Sequence, residues 1–193
     1  MFEVLFQNVK DKISLTSDEE ELAKTLFIPK KLKKKQYLLQ QDDVCKYLTI
    51  VEKGVLRSYT VDDAGTEHIL QLALEGHWVT DMYSFLSQEP AIYNIDAVED
   101  SELLLITNRS LDELYEKIPK FERFFRLLGQ KNILSLQRRL TGSLSFTAED
   151  KYLQLTKNFP DLLNRVPQHM IASYLGITRE TLSRIKKNLL KDH

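Results

Sequence analysis

The residues best suited to bind nucleic acid lie near the end of the chain, where two arginines flank a glutamate and a serine. Arg179 and Arg184 can each pair with O6 and N7 of guanine, and Glu180 can accept a hydrogen bond from N4 of cytosine. Each good pair contributes about 1–3 kcal/mol of discrimination between bases. Backbone N–H groups at the starts of two expected helices suit phosphate oxygens. We therefore predict seven DNA-binding residues: Gln168, Thr178, Arg179, Glu180, Ser183, Arg184 and Lys187.

The spacing around these residues is typical of a helix-turn-helix, which we predict over 167–190. Ala172 is small where the two helices must cross closely, and Gly176 suits a turn that requires a positive φ. Pro167 fits the start of the first helix, and Thr178 can cap the second. In this motif the second helix enters the major groove with its N-terminal residues against the bases. Five apolar residues would hold the helices together: Ile171, Leu175, Ile177, Leu182 and Ile185.

Charge is distributed unevenly along the chain, although the formal net charge is only −1. From Arg165 to the end, six basic residues stand against two acidic ones, so this segment carries +4 and the preceding residues carry −5. A basic module on an acidic body indicates that only the C-terminal segment contacts a polyanion. A charged helical hairpin without a ligand is the alternative, and the motif spacing together with the charge favours DNA.

The composition is that of a globular protein, with 42% hydrophobic and 28% charged residues among 193. Cys45 is the sole cysteine, so neither an intramolecular disulfide nor a cysteine-held zinc or iron–sulfur site can form. The first residues show no signal-peptide cleavage site, and no stretch approaches the roughly 18 consecutive apolar residues of a membrane span. We therefore expect a cytoplasmic protein without a cofactor.

Residues 27–107 predict a β-rich domain in which short runs of strand-forming residues alternate with turns such as Lys53-Gly54. This pattern is typical of a sandwich or a jelly-roll. A short helix is expected around 82–86, and residues 2–26 are predicted to be helical, with Ser17 as N-cap and Glu20 completing a capping box. The predicted strands are Tyr37–Leu39, Tyr47–Glu52, Val55–Val61, His68–Leu74, Ile92–Val98 and Glu102–Ile106.

From residue 110 onward, apolar residues recur with the period of a helix. The longest predicted helix, over 119–143, opens at Pro119 and ends near Gly142. It can form a dimer seam in which Asn132 fixes the register, and packing within the monomer is the alternative. Shorter helices are predicted over 148–158 and 161–164.

This order of elements, with the segment Arg179-Glu180-Thr181-Leu182-Ser183-Arg184, resembles the cyclic-AMP receptor protein/FNR family of bacterial transcription regulators. The resemblance covers nearly the whole chain and implies an α+β fold: an N-terminal double-stranded β-helix (jelly-roll) with flanking helices, a long dimerisation helix and a C-terminal all-α helix-turn-helix. It assigns base reading to Arg179, Glu180 and Arg184, whereas Ser183 resembles the FNR branch. The domains expected are a sensor-type β-roll over 1–118, a dimerisation helix over 119–143 and a DNA-binding domain over 144–193.

The resemblance also implies the partners. A homodimer would regulate transcription from a pseudo-palindromic operator on double-stranded DNA, with RNA polymerase as a further partner. In the family an effector in the β-roll reorients the DNA-binding units, so a small-molecule effector is the remaining expectation.

The residues expected to hold a nucleotide depart from the family pattern. Nucleotide-binding members carry a Gly-Glu pair for the ribose and an Arg-Ser pair for the phosphate, where this chain has Thr80-Asp81 and Ala91-Ile92. Without the arginine the phosphate loses its main charge-assisted contact, so we predict no tight binding of cyclic AMP. One cysteine cannot hold an FNR-type cluster either. The residues expected around a different effector are Trp78, Thr80, Asp81, Met82, Ala91 and Tyr93.

The sequence given stops at His193, just after the recognition helix, whereas family members usually continue into a β-wing. Phosphate contacts from a wing are therefore expected to be absent. DNA affinity would then depend more on the recognition helix and on dimerisation.

Two other kinds of function remain as alternatives. A β-roll that binds a ligand or a protein, with a tail that does not bind DNA, would share this fold. A metal-dependent enzyme would need three or four convergent ligands, whereas His68 and His77 are nine residues apart on predicted strands and neither has a close second histidine. We therefore predict neither a metal site nor catalysis.

Overall fold

The computed structural model describes residues 1–190 and begins with two helices, α1 (Glu3–Lys10) and α2 (Ser17–Leu26). The prediction of a capping box at the start of α2 is one residue off. Thr16, in extended backbone, accepts a hydrogen bond from the Glu19 N–H, and the Glu19 carboxylate accepts one from the Thr16 N–H. Ser17 already has helical geometry, so it cannot serve as the N-cap.

Within residues 1–190, eight strands form two four-stranded sheets. The first sheet has the order β1-β8-β3-β6 and the second β2-β7-β4-β5, and every pair of neighbours is antiparallel. The strands are β1 (Ile28–Leu32), β2 (Tyr37–Leu39), β3 (Leu48–Lys53), β4 (Leu56–Val61), β5 (Glu67–Ala73), β6 (Trp78–Val79), β7 (Asn94–Ala97) and β8 (Ser101–Ile106).

The six predicted strands are all present, with ends shifted by no more than two residues, and the short predicted helix is α3 (Met82–Ser87). The exposed strand β1 was missed because it contains a proline and two lysines, which occur where a strand lies at a sheet edge. The two-residue strand β6 was missed because it is too short to show a period.

A hydrophobic cluster fills the space between the two sheets. It also takes in α1, the helix α4 (Asn108–Lys117) and the start of α5 (Lys120–Ser145). The largest fully buried side chains of this cluster include Leu5, Ile50, Phe85, Leu104, Phe121 and Phe124. The β-roll, its N-terminal helices and the first turns of α5 therefore pack as one unit.

The second half of α5 leaves this unit, and every residue from 129 to 141 is exposed. The helix predicted over 119–143 is present as α5, which continues two residues further, to Ser145. Gly142 is buried under the ring of Phe146, and a Cβ atom at Gly142 would lie 3.0 Å from Phe146 Cδ2. The glycine therefore allows the chain to fold back at the end of α5.

Four helices follow in the described part of the chain: α6 (Ala148–Asn158), α7 (Leu162–Arg165), α8 (Gln168–Leu175) and α9 (Arg179–Leu189). The first two match the helices predicted over 148–158 and 161–164. Of the helices within residues 1–190, none combines the length and the apolar character that a membrane crossing would need.

Candidate nucleic-acid interface

The helices α8 and α9 are joined by a tight turn around Gly176. This residue has φ +68°, a left-handed conformation that glycine adopts without steric cost. The Ile177 N–H donates to the Ala172 carbonyl over 3.0 Å, and the Thr178 hydroxyl accepts from the Thr181 N–H over 3.1 Å. The turn therefore ends α8 and caps α9 within three residues, as the sequence predicts.

The contact between the two helices is apolar. Ile171 and Ala172 of α8 are buried, as are Leu182 and Ile185 of α9, while Leu175 and Ile177 are half-buried around the turn. These side chains fix the angle of α9 against α8, so the predicted helix-turn-helix is confirmed as a structural unit.

The outer face of α9 carries the predicted base-reading residues. Their spacing places them on one side of the helix, opposite the buried Leu182 and Ile185. Gln168, in the first turn of α8, and Thr178, at the cap of α9, are exposed as well. The residues of α9 exposed on this face are Arg179, Glu180, Ser183, Arg184 and Lys187.

The start of α9 stabilises a negative charge at Glu180. Its own backbone N–H and the Thr178 hydroxyl lower the pKa of the Glu180 carboxyl, and the neighbouring Arg179 lowers it further. Glu180 is therefore an anion at neutral pH, which is the state that accepts a hydrogen bond from cytosine N4.

His169 is a residue of this surface that the sequence analysis missed. Partial burial lowers the pKa of its imidazole, and the charges of Arg179 and Arg57 lower the pKa further, while Glu67 opposes them. A histidine in the first turn of α8 is inconspicuous in the sequence, because its charged neighbours come from α9, β4 and β5.

Arg165 counts toward the basic C-terminal segment but does not belong to the exposed face of α9. Its guanidinium donates to the Glu75 carboxylate over 2.9 and 2.7 Å and to the Glu99 carboxylate over 3.1 and 2.5 Å. Its charge is therefore used within the protein. Lys191 and Asp192, which enter the same charge count, lie outside the described residues.

The structure gives the two polar residues predicted for an effector pocket other roles. The Thr80 hydroxyl donates to the Tyr47 carbonyl over 3.0 Å. Asp81 is fully buried, and its carboxylate caps α3 by accepting from the Ser84 N–H over 3.0 Å. The other carboxylate oxygen accepts from the Ile92 N–H, outside α3, also over 3.0 Å. Both side chains therefore stabilise the local fold.

The four remaining residues of that set differ in their exposure and contacts. The Trp78 ring contacts α5, with its centroid 5.1 Å from that of Phe125. Met82 is exposed, Tyr93 is half-buried and Ala91 is buried. Two cavities of about 980 and 270 Å³ are lined by other residues, so the six side chains do not surround either of them.

Metal ligands are not grouped in the part of the chain that the structure describes. Within residues 1–190, no three histidine, cysteine, aspartate or glutamate side chains are placed to hold an ion together. His68 forms a contact of 2.8 Å with the Asp62 carboxylate instead.

Comparisons with known proteins agree with this geometry. Residues 29–118 match the cyclic nucleotide-binding domain family. The regulatory protein HlyX of Actinobacillus pleuropneumoniae is 28% identical over 173 residues, which cover 81% of this chain and 69% of HlyX. The transcriptional activator protein anr of Pseudomonas aeruginosa is 25% identical over 185 residues, which cover 90% of this chain and 75% of that protein.

Solved structures show the same fold. The c-di-GMP responsive global regulator CLP of Xanthomonas campestris has a TM-score of 0.70 at 17% identity, covering 92% of this chain and 93% of CLP. The catabolite activator protein of Thermus thermophilus has a TM-score of 0.58 at 22% identity, covering 93% of this chain and 85% of that protein. The predicted jelly-roll, long helix and C-terminal helix-turn-helix are thereby confirmed. The chain therefore carries a cyclic nucleotide-binding domain over residues 29–118 and is similar, along most of its length, to transcription regulators of the cyclic-AMP receptor protein/FNR family.

Proposed function

We propose that this regulator binds double-stranded DNA as a homodimer at a pseudo-palindromic operator and reads the bases with α9. The observation that supports this most directly is the face of α9 on which the side chains of Arg179, Glu180 and Arg184 are exposed to solvent. The buried Leu182 and Ile185 hold the opposite face, so the reading side chains are presented on a rigid helix. Such a helix fits the major groove.

Phosphate contacts are proposed for the residues around this face. The first turns of α8 and α9 present backbone N–H groups beside the exposed Gln168 and Thr178, which suits phosphate oxygens. Lys187 adds a positive charge on the same side of α9 as Arg184. These contacts would fix the orientation of α9 on the duplex, and Arg179, Glu180, Ser183 and Arg184 would then distinguish the bases.

A second copy of this chain is the proposed partner of α5. Along the exposed half of the helix, apolar side chains recur every three or four residues on one side, and Leu140 and Leu144 are 64% and 81% exposed. Gly129 lies on the same side, and a Cβ atom there would meet nothing in the monomer. A glycine inside a helix costs about 0.5–1 kcal/mol, which close approach of a second helix would explain. The apolar side chains of this face are Ile133, Leu136, Leu140 and Leu144.

The proposed dimer explains why the operator should be a pseudo-palindrome. Pairing of two α5 helices, each of 26 residues, gives a two-fold axis between the copies. The two recognition helices then face half-sites about 34 Å apart, which is one turn of the duplex. Asn132 stays the predicted register position of this seam, since it is exposed at its border.

Control by cyclic AMP does not form part of the proposal. Ala91 and Ile92 provide no guanidinium for a cyclic phosphate, and the Asp81 carboxylate is already engaged as the cap of α3. A small-molecule effector of the β-roll is accordingly proposed to be something other than this nucleotide. The regulator is proposed to act in the cytoplasm together with RNA polymerase and to catalyse no reaction.

The experiment that tests the proposal selects bound sequences from a random pool of duplex DNA, with purified full-length protein. The Arg179→Ala/Arg184→Ala variant is selected in parallel. The matched control is Lys31→Ala/Lys33→Ala, which removes the same charge from the edge of the β-roll. We expect a pseudo-palindrome to be enriched by the wild type and by the control, and enrichment to be lost in the α9 variant.

The salt dependence of affinity distinguishes this function from a β-roll module that binds no DNA. A chain that neutralises several phosphates loses affinity steeply as salt rises, with a log–log slope of about −0.9 for each phosphate contact. A flat salt dependence, with no enriched sequence in the presence or absence of cell extract, would contradict the proposal.

A further inference from the structure

The C-terminal helices do not form a separate core, because they share one hydrophobic cluster with the outer face of the β-roll. From the β-roll side this cluster includes Tyr59, Ile69 and Leu72, and from the helical side Leu162 and Ile171. All five side chains are buried. Ile171 also packs α9 against α8, so the helix-turn-helix is held by the same cluster that joins it to the sheet.

Ser173 of α8 connects this helix to the backbone of β5. Its hydroxyl accepts a hydrogen bond from the Ile69 N–H over 3.0 Å and donates one to the Glu67 carbonyl over 2.8 Å. The strand β5 is the outermost strand of its sheet, so these two backbone groups have no neighbouring strand. The hydroxyl takes the place of a strand residue and fixes α8 at one position along β5.

Arg165 makes a second connection at the other end of the interface. Its two carboxylate partners lie in loops of the β-roll, with Glu75 after β5 and Glu99 after β7. Glu75 also accepts from the Gly54 N–H over 2.8 Å, which fixes its carboxylate in place. The pairing of Arg165 with Glu75 is bidentate, so it sets an orientation as well as a distance.

Arg139 connects α5 to both β5 and α8. Its guanidinium donates to the Leu70 carbonyl of β5 and lies over the ring of Tyr174 in α8, 4.5 Å from the centroid. The proposed dimer helix, the edge strand and the first helix of the helix-turn-helix therefore meet at one point. Because the reading face of α9 is exposed in this docked arrangement, docking leaves it free to contact DNA.

We propose that Arg165, at the end of α7, and Ser173, in α8, are positioning residues, which hold these two helices on the β-roll and thereby set the distance and the angle between the two recognition helices of the dimer. The consequence is a strict requirement for the spacing between operator half-sites. This inference rests on the function proposed above, because it needs a dimer with α9 as reader. It assigns to the two side chains a role in operator choice although neither belongs to the reading face.

The test uses the Arg165→Met/Ser173→Ala variant of the full chain. The matched control is Lys31→Met/Ser87→Ala, which removes similar groups from contacts within the β-roll. The probes are the selected operator and the same duplex with two base pairs inserted at its centre, which shifts one half-site by about 7 Å and rotates it by about 70°. Affinity for a duplex with a single half-site measures base reading by one recognition helix, independently of the spacing between half-sites.

We expect the insertion to weaken binding of the wild type and of the control by at least about tenfold. For the Arg165/Ser173 variant we expect less than about threefold, with single half-site affinity unchanged within about twofold. Arg165→Lys with Ser173 intact should restore much of the spacing requirement. A variant that keeps the tenfold loss would overturn the proposal, and so would equal weakening at every spacing and on the single half-site.

A second measurement needs no DNA and separates this inference from the function. Spin labels at Lys53→Cys and Asn188→Cys, in a Cys45→Ala background, report the distance between the β-roll and α9. Excess unlabelled chain keeps one labelled copy in each dimer. We expect a narrow distance distribution in the wild type and a broad one in the Arg165/Ser173 variant, and a distribution that stays narrow would overturn the positioning role. If the selection enriches no operator, the proposed function is contradicted. The distances between the spin labels still test the positioning role of Arg165 and Ser173 in that case.

Discussion

At the residue scale, Gly176 determines whether α9 can follow α8 at the observed angle. Its φ is +68° and a Cβ atom would meet no neighbour, so replacement by alanine introduces backbone strain without a clash. We expect Gly176→Ala to lower the free energy of unfolding by about 1–2 kcal/mol, because a left-handed conformation costs a non-glycine residue this much. Urea unfolding at fixed protein concentration measures the change.

Asparagine provides the matched control at the same position. It tolerates the left-handed conformation better than alanine, so Gly176→Asn should lose clearly less stability than Gly176→Ala. Equal losses in the two variants would show that the strain at this turn is not what limits stability.

The individual side chains of the candidate interface could be predicted to a large extent. All seven predicted DNA-binding residues are exposed, and for the five within α9 the reason is the helical period, which places them opposite the apolar Leu182 and Ile185. Their contacts with DNA stay a prediction. Arg165 could not be distinguished from the other cations by sequence, since its partners Glu75 and Glu99 lie 90 and 66 residues away.

At the scale of single elements, the second half of α5 exposes an apolar face that a second copy of the chain would bury. We expect Leu136→Ser/Leu140→Ser to weaken self-association by at least about a hundredfold, which corresponds to ~2.7 kcal/mol, because each leucine would be buried in both copies of the dimer. Sedimentation equilibrium over a range of concentrations measures the dissociation constant. A variant that dimerises like the wild type would place the interface elsewhere.

An exposed leucine outside α5 serves as the control, because its replacement removes a similar apolar surface from a different part of the molecule. Leu86 of α3 is 63% exposed, much like Leu140, but it lies outside α5. We expect Leu86→Ser to leave the dissociation constant unchanged within about twofold. Circular dichroism should show an unchanged helix content in both variants.

Helices and strands were predicted correctly where the sequence shows a hydrophobic period or turn residues. The prediction was less accurate where a contact between distant parts of the chain determines where an element ends. The helix over 148–158 was predicted at its observed bounds from its helical period, and in the structure Thr147 caps its start. The end of α5 was placed too early, because a glycine in a sequence looks like a stop signal. Its actual role, a close contact with the Phe146 ring, depends on how the chain folds back.

At the scale of the whole molecule, the connection between Arg165 and Glu75 makes stability depend on pH. Burial alone would raise the pKa of the Glu75 carboxyl, but hydrogen bonds from Arg165 and from backbone N–H groups outweigh it and lower the pKa to about 2 from its usual 4.5. A carboxyl with a lowered folded-state pKa stabilises the fold fully above pH 4.5. That contribution is lost as the pH falls from 4.5 toward about 2.

We therefore expect the wild type to be more stable than Glu75→Gln at neutral pH, and the difference to disappear as the pH falls below the folded-state pKa of about 2. Urea unfolding of both proteins as a function of pH measures it. The control is Glu102→Gln, since Glu102 pairs with Lys31 at the exposed edge of the β-roll. A stability difference between wild type and Glu75→Gln that does not change with pH would contradict this account.

The arrangement of the domains was the least predictable aspect. The sequence suggests boundaries near residues 118 and 143, and that division stays a prediction. The buried cluster nevertheless joins Ile69 to Ile171 across both boundaries. Neither residue differs in type from those that fill an ordinary domain core, so hydrophobic patterning alone gives no sign that they belong together.

The contact of α8 with β5 also bears on how this protein behaves at high concentration. An outermost strand with free backbone groups can pair with a strand of another molecule and begin aggregation. Here the Glu67 and Leu70 carbonyls and the Ile69 N–H of β5 are occupied by Ser173 and Arg139. The helix α8 therefore also protects the edge of the sheet, and its displacement would leave the Ile69 N–H and the Glu67 carbonyl free to pair with a strand of another molecule.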